Sequence, residues 1–316
     1  MKTHPRLPQL EGHLMTCGGG FETWLQYVDG FELRHFCAFE LLNDKRGRDC
    51  LRDYHRKVVE AAVENGVGVV NEGLHYRASR DWGDLIGFSK EALEDINVRG
   101  IEFYKDFVRE YDSDATPMIV GACIGPRGDA YATGRTETAA EAEDYHTEQI
   151  ITLRDAGADI VSAWTFSSVE EAIGFARAAK AAGIGSAISF IAKGGQLNDG
   201  TPLADAILRV DQATDQAPLY YGINCTHPTE FAHSLDDGAW TERLGSFMPN
   251  AVAMELLSLC TLGHLEDGDP EELADQMAAL SRRFPKANVF GGCCGTDARH
   301  LAAIARKVSA ARSAVT

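Results

Sequence analysis

The sequence predicts an α/β fold, a (β/α)8 TIM barrel in a single domain over residues 1–316 with an extended first βα loop. Three observations carry that expectation. Short apolar runs alternate with helical patterns eight times along the chain. Several of the runs are nearly continuous in apolar character, as strands covered on both faces are. The 316 residues fall within the length at which such barrels form one unit, and no linker or low-complexity stretch divides them.

The first four strands are expected at HLMTC (13–17), VGVVNE (67–72), PMIVGAC (117–123) and DIVSAWTF (159–166). The last four are expected at GSAISFI (185–191), LYYGINC (219–225), NAVAMEL (250–256) and NVFGGC (288–293). The helix after the first strand, CLRDYHRKVVEAAVENG, lines up Leu51, Tyr54, Val58, Val59, Ala62 and Val63 and stops at Gly66. TETAAEAEDYHTEQIITLRDAG is acidic at its start and ends at Gly157, which suits the helix dipole and a left-handed cap. SSVEEAIGFARAAKAAG opens on serine and closes at Gly183. DPEELADQMAALSRRF offers Asp269 as N-cap and Pro270 as first residue, and TDARHLAAIARKVSAARS completes the ring. A helix is expected over about 228–244. The stretch 20–49 is long for a βα loop and would lie at the catalytic face.

Composition narrows the function. Acidic residues number 47 against 30 basic ones, a net charge of −17, which argues against nucleic acid and anionic membranes as partners. No apolar window is long enough to span a bilayer, and the N-terminus lacks a signal-peptide pattern. A cytoplasmic location is expected, where the eight cysteines would be reduced. No G-x-G-x-x-G opens a helix after the first strand, and neither a Walker A motif nor G-x-S-x-G is found.

Cysteines are the chemical signal. In the barrel frame Cys225 ends strand six, while Cys293 and Cys294 end strand eight. All three would then meet at the C-terminal rim, where barrel enzymes keep their chemistry. Three thiolates can hold a zinc ion at about 2.3 Å and leave a position open. Gly291, Gly292 and Gly295 permit the sharp turn that two adjacent ligands need. A strained vicinal disulfide and plain strand-end packing are the other readings of the pair. Nearby polar candidates are His227, for proton handling, His75, and Arg127, for a substrate carboxylate.

GINC followed by THP, with GGCCG about 70 residues later, resembles the homocysteine S-methyltransferase family. GGGFETWL (18–25) is similar to its D-G-G-x-x-T-x-L, EGLHYRAS (72–79) to its E-T-N-T-Y-x-A-S, and GACIGPRGD (121–129) to its G-S-I-G-P-x-G. AGADIVSAWTFSSVEEA (156–172) is similar to its G-x-D-x-x-x-x-E-T-x-x-x-x-E-A. The resemblance implies a zinc-dependent barrel that moves a methyl group onto a thiol, with Cys225, Cys293 and Cys294 as zinc ligands. It implies Asn224 as support beside a ligand, and Glu72 and Tyr76 near the thiol or donor. It sets Gly19 and Thr23 in the first-strand turn. Glu22, Trp164 and Gly292 are the further candidates on the substrate side, beside Gly19 and Thr23. Two positions depart from the pattern. Gly18 stands where the family has Asp, and Trp164 where it has Glu, the two carboxylates expected to hold the amino group of homocysteine. Glu22 or Glu72 could hold the amine instead, or the acceptor is another thiol, with Trp164 offering an aromatic face to an onium donor.

The expected activity is therefore methyl transfer from an onium donor (S-methylmethionine, S-adenosylmethionine or a betaine) to a thiol, by default homocysteine to give methionine. The expected partners are these small molecules, and homo-oligomer formation stays open. The rivals are transfer to a different thiol, a non-catalytic zinc or thiol-binding barrel, and metal-assisted hydrolysis. Three thiolates count against the last.

Overall fold

The structure, a computed structural model, describes residues 7–132, 134, 136–254 and 262–314. Eight parallel strands close into a barrel in sequence order: β1 Met15–Cys17, β2 Gly68–Asn71, β3 Met118–Ile124, β4 Ile160–Phe166, β5 Gly185–Phe190, β6 Tyr220–Asn224, β7 Leu244–Met248 and β8 Val289–Phe290. Closure pairs Met15 with Val289, and an isolated bridge pairs Gly18 with Gly292. That bridge brings the turn after β1 against the cysteines that follow β8.

Alternation along the strands makes two apolar layers. One face packs on the helices. The other fills the lumen with Met15, Cys17, Val70, Ile119, Cys123, Ile160, Trp164, Tyr220, Met248 and Val289. The interior is thus a packed core whose upper end carries the site.

In the first βα connection, α1 (Phe21–Tyr27) and 3-10 turns at Arg34–Phe36 and Ala38–Asn43 precede α2 (Lys45–Glu64). The second connection holds α3 (Arg80–Ile86) and α4 (Lys90–Tyr111). Then follow α5 (Ala139–Ala156), α6 (Val169–Ala182), α7 (Leu203–Thr214), α8 (Pro228–Phe231), α9 (Pro270–Arg283) and α10 (Ala298–Ser313). The expected caps form. Gly157 and Gly183 take left-handed conformations, and the Asp269 side chain accepts from Glu271 and Glu272 backbone N–H groups. Among the described residues no helix is long and apolar enough to cross a membrane.

Two expectations change. The seventh strand is Leu244–Met248, not 250–256. Pro249 has no N–H for a ladder, so the strand ends before it, with Met248 paired to Asn224. Residues 250–254 run as irregular chain, and 255–256 lie outside the described residues. The helix expected over 228–244 is only α8 and 3-10 turns at Ala232–Ser234 and Ala239–Arg243, because Leu244 onward is strand.

Candidate metal centre and its cavity

Cys225 follows β6 directly, and Cys293 and Cys294 follow β8 after two glycines. Their sulfurs all lie within 4.8 Å of one another. The Cys225 and Cys293 sulfurs touch, with Cα atoms 5.6 Å apart, so the close pair is not the adjacent Cys293 and Cys294. Cys225 and Cys293 are buried and Cys294 is half-buried.

Local backbone makes this convergence. Cys225 sits at φ +52, a left-handed conformation uncommon outside glycine, with its N–H on Met248 O at 3.1 Å and its carbonyl on Asn250 Nδ2 at 3.0 Å. Gly295 turns the chain at φ +81, where a Cβ would strike Glu266 O. Cys293 N–H reaches Pro249 O at 2.7 Å. Asn224, fully buried, donates from Nδ2 to Cys225 Sγ at 3.6 Å.

The trio opens on a cavity of about 240 Å³. Gly19, Glu22, Thr23, Tyr76 and Trp164 also line it, so the structure gathers these expected residues with the cysteines. Thr23 Oγ1 donates to Gly20 O at 2.7 Å and accepts from Gly295 N at 3.3 Å, which ties α1 to the cysteine turn. Burial pushes the Tyr76 phenol up to about 12, so it is neutral at pH 7.

Other expected residues lie outside the lining. Glu72 is buried in the lumen, where desolvation lifts its carboxyl to about 8 against the pull of Ser162. Gly292 acts through its backbone: its carbonyl accepts from Gly19 N at 2.9 Å, and a Cβ there would strike Thr296. His227 instead caps α8, its Nδ1 facing Thr229 Oγ1 at 2.8 Å, and burial lowers its pKa. His75 packs in the core with Nε2 on Asn97 O at 3.1 Å. Arg127 pairs with Asp81 at 2.8 Å.

Among the lining residues that sequence reasoning missed, three stand out. Arg77 lies over the Trp82 ring at 3.8 Å and the Tyr76 ring at 4.9 Å. Phe36 comes from the first connection, at φ +61. Thr165 follows Trp164 at φ +59. Nothing in composition marks these. Position beside a recognised motif residue was the usable signal for Arg77, and the threonine of the resembled pattern was the one for Thr165.

Trp164 explains the departure at position 18. A Cβ on Gly18 would lie 2.7 Å from Trp164 Cη2 and 2.8 Å from Gly292 O. The indole fills part of the space that a side chain at 18 would take, so the two departures are sterically coupled.

Comparisons with known proteins agree with this geometry. The family model described as homocysteine S-methyltransferase matches residues 15–308. Homocysteine S-methyltransferase 3 of Zea mays is 24% identical over 284 residues, covering 80% of each chain. Homocysteine S-methyltransferase YbgG of Bacillus subtilis (strain 168) is 30% identical over 205 residues, 59% of this chain and 60% of that one. The homocysteine methyltransferase MmuM from Escherichia coli, in its metallated form, superposes with a TM-score of 0.71 at 19% identity, over 93% of this chain and 96% of that one. That likeness establishes the barrel. With a cysteine trio at the rim and a family match running from β1 into the last helix, the chain belongs to the homocysteine S-methyltransferase family.

Proposed function

We propose that this chain, one barrel domain over 1–316, is an S-methyltransferase acting on small molecules. It moves a methyl group from an onium donor to a thiol, and homocysteine going to methionine is the reaction that family membership supports. The observation that carries this reading is the convergence of three cysteine sulfurs within 4.8 Å of one another at a cavity.

The donor set fits zinc. Three soft thiols are offered, the number of protein ligands that catalytic zinc sites use. Cys225, Cys293 and Cys294 would hold the ion, which when bound supplies the Lewis acidity that keeps a thiol ionised near neutral pH. The chain's own residues do the rest. Asn224 donates a hydrogen bond to the Cys225 sulfur. Gly19, Thr23 and Gly292 fix the backbone beside the cysteines. Glu22 supplies a half-buried carboxylate to the cavity, and the rings of Tyr76 and Trp164 give it π faces that suit a cation. In the transfer the acceptor sulfur bonds to the methyl carbon in line and its proton is lost to solvent. The methyl–onium bond breaks, its electron pair stays on the donor, and the donor leaves neutral. Little acid–base catalysis is required, in keeping with a neutral Tyr76 and with a His227 engaged as a cap.

One observation favours a second reading, transfer to a thiol that carries no amino group. The Trp164 ring stands against Gly18, where two carboxylates would be expected to grip an ammonium.

A mass-spectrometric transfer assay on zinc-loaded protein tests the proposal. Homocysteine is offered with S-methylmethionine, S-adenosylmethionine and a betaine in turn, and methionine is the expected product. Absence of methylation on homocysteine and on simple thiols alike would sink the transferase reading in favour of a metal- or thiol-binding barrel.

A further inference from the structure

Thr165, at the threonine of the pattern resembled over 156–172, makes contacts that the pattern alone does not announce. It lies near the end of β4, where the register against β5 shifts between Ala163 and Phe166. At φ +59 it is a β-branched residue in the left-handed region, which is rare and is retained only where the surroundings hold it. It is buried, and it touches both halves of the site. Its backbone N–H donates to Asn224 Oδ1 at 3.0 Å, its Oγ1 donates to Trp164 O at 2.6 Å, and its Oγ1 meets Tyr76 Oη at 2.5 Å.

We infer that Thr165 is a positioning residue that sets the hydrogen-bond polarity of the site toward both the metal ligands and the donor; this rests on the reading proposed above. The number of protons available fixes the direction of each bond. A threonine hydroxyl has one proton, and a carbonyl can only accept. Oγ1 gives its proton to Trp164 O, so it must accept from Tyr76. The single Tyr76 proton is then committed to Thr165, and the phenol oxygen has only lone pairs for whatever enters the cavity. Those lone pairs favour the positively charged methyl of an onium donor. A phenol proton turned inward would oppose it.

The second consequence concerns Asn224. The Thr165 N–H can only donate, so it fixes the Asn224 oxygen on its own side. The amide nitrogen is thereby turned to Cys225 Sγ, 3.6 Å away. A flipped amide would set NH₂ against N–H on one side and oxygen against sulfur on the other. Thr165 therefore keeps an N–H, and not a carbonyl, on a ligand sulfur. Such a bond stabilises the thiolate form.

Two sets of variants test this. Asn224→Asp keeps the acceptor for Thr165 but cannot donate to sulfur. Zinc affinity, read by competition with a chromophoric chelator, should fall about 10- to 100-fold. Unchanged affinity overturns the Asn224 half of the inference, whatever the enzyme's activity proves to be. For the other half, Thr165→Val removes the hydroxyl and keeps the backbone N–H. It should raise the donor KM about tenfold with zinc affinity unchanged, and Thr165→Ser should restore the native value within about twofold. Adding Tyr76→Phe to Thr165→Val should cost nothing more, since the two groups act as one unit. If Thr165→Val does not fold, the Ser variant and Tyr76→Phe still decide. A Ser variant as impaired as Tyr76→Phe, or fully additive losses, would overturn it. Wild-type protein that methylates no thiol would instead count against the proposed function, and the zinc affinity of Asn224→Asp would still judge the polarity argument.

Discussion

At the β6–β8 end of the cavity three thiols converge within 4.8 Å, on backbone bent by a left-handed Cys225 and by Gly295. At the β1–β4 end a tryptophan ring lies where a side chain at position 18 would stand. The first region keeps every sulfur its family motif supplies. The second departs from the resembled pattern at both positions where that pattern has a carboxylate, and holds an apolar contact there. On the proposed function, the difference teaches that metal binding and substrate recognition would be separable in this barrel, because they would be carried by different strands. One end needs a fixed set of donor atoms and the turns that aim them. The other needs only a surface that fits its ligand.

The largest effect should come from the thiol end. Cys225→Ser, Cys293→Ser and Cys294→Ser should each lower bound zinc well below one per chain and reduce methyl transfer by at least about a hundredfold, since a hydroxyl is a far poorer ligand than a thiolate. Metal analysis beside the transfer assay checks it. Full activity in all three variants would refute the metal reading and make the trio a packing feature.

Much of that end was legible in the sequence. Apolar runs bounded by glycines located the rim, and the cysteine spacing indicated which loops bring the three sulfurs together. Legibility stopped where long-range pairing decides. Nothing local says that Leu244–Met248 rather than the run after Pro249 joins β6, because both are apolar and only the register with Tyr221–Asn224 chooses between them. Thr165 occupies the threonine of the pattern resembled over 156–172, but its conformation is hidden for a similar reason. Its left-handed backbone goes with a register shift between two strands, and threonine itself gives no turn signal. His227 read as chemistry because it lies two residues from Cys225, yet its ring completes the first turn of α8.

The next effect lies in the lumen below both ends. Burial lifts the Glu72 carboxyl from its ordinary 4.5 to about 8. A raised acid binds its proton more tightly folded than unfolded. The stability it contributes is full below pH 4.5 and is lost as pH rises toward 8, at roughly 1.4 kcal/mol per unit. Between pH 5 and 8 the native protein should lose roughly 3 kcal/mol more than Glu72→Gln, read from urea unfolding with the native-state metal held constant. Equal losses would mean that Glu72 is ionised in the folded chain, and the lumen would then hold a cationic partner for it.

A smaller effect probes whether the Gly18 and Trp164 wall is one unit. Gly18→Ala sets a Cβ 2.7 Å from the indole and 2.8 Å from Gly292 O, at φ +73. It should cost about 2 kcal/mol. Repeating it in Trp164→Ala should return about 1 kcal/mol of that, because one of the two clashes is gone. Strict additivity in the unfolding data would show a ring free to move aside. The wall would then set no limit on what fills it.

The smallest expected difference says most about the acceptor. Homocysteine and its desamino analogue 4-mercaptobutyrate present the same thiol at the same distance from a carboxylate, and only the ammonium distinguishes them. A site that grips an ammonium between buried carboxylates should discriminate strongly, because losing a charged hydrogen-bond partner leaves them unpaired at a cost of about 2 to 3 kcal/mol each. Gly18 and Trp164 offer no such partners, so kcat/KM for the two thiols should agree within about threefold when the same donor is used. A preference for homocysteine above about thirtyfold would locate the ammonium elsewhere in the cavity. Glu22 is then the residue to change, since it is the half-buried carboxylate of the lining, whereas Asp129 at the mouth is exposed to water that would screen it. Glu22→Gln would have to erase that preference while leaving 4-mercaptobutyrate unaffected. If it slowed both thiols equally, the Glu22 charge would be serving the cationic donor that the two reactions share.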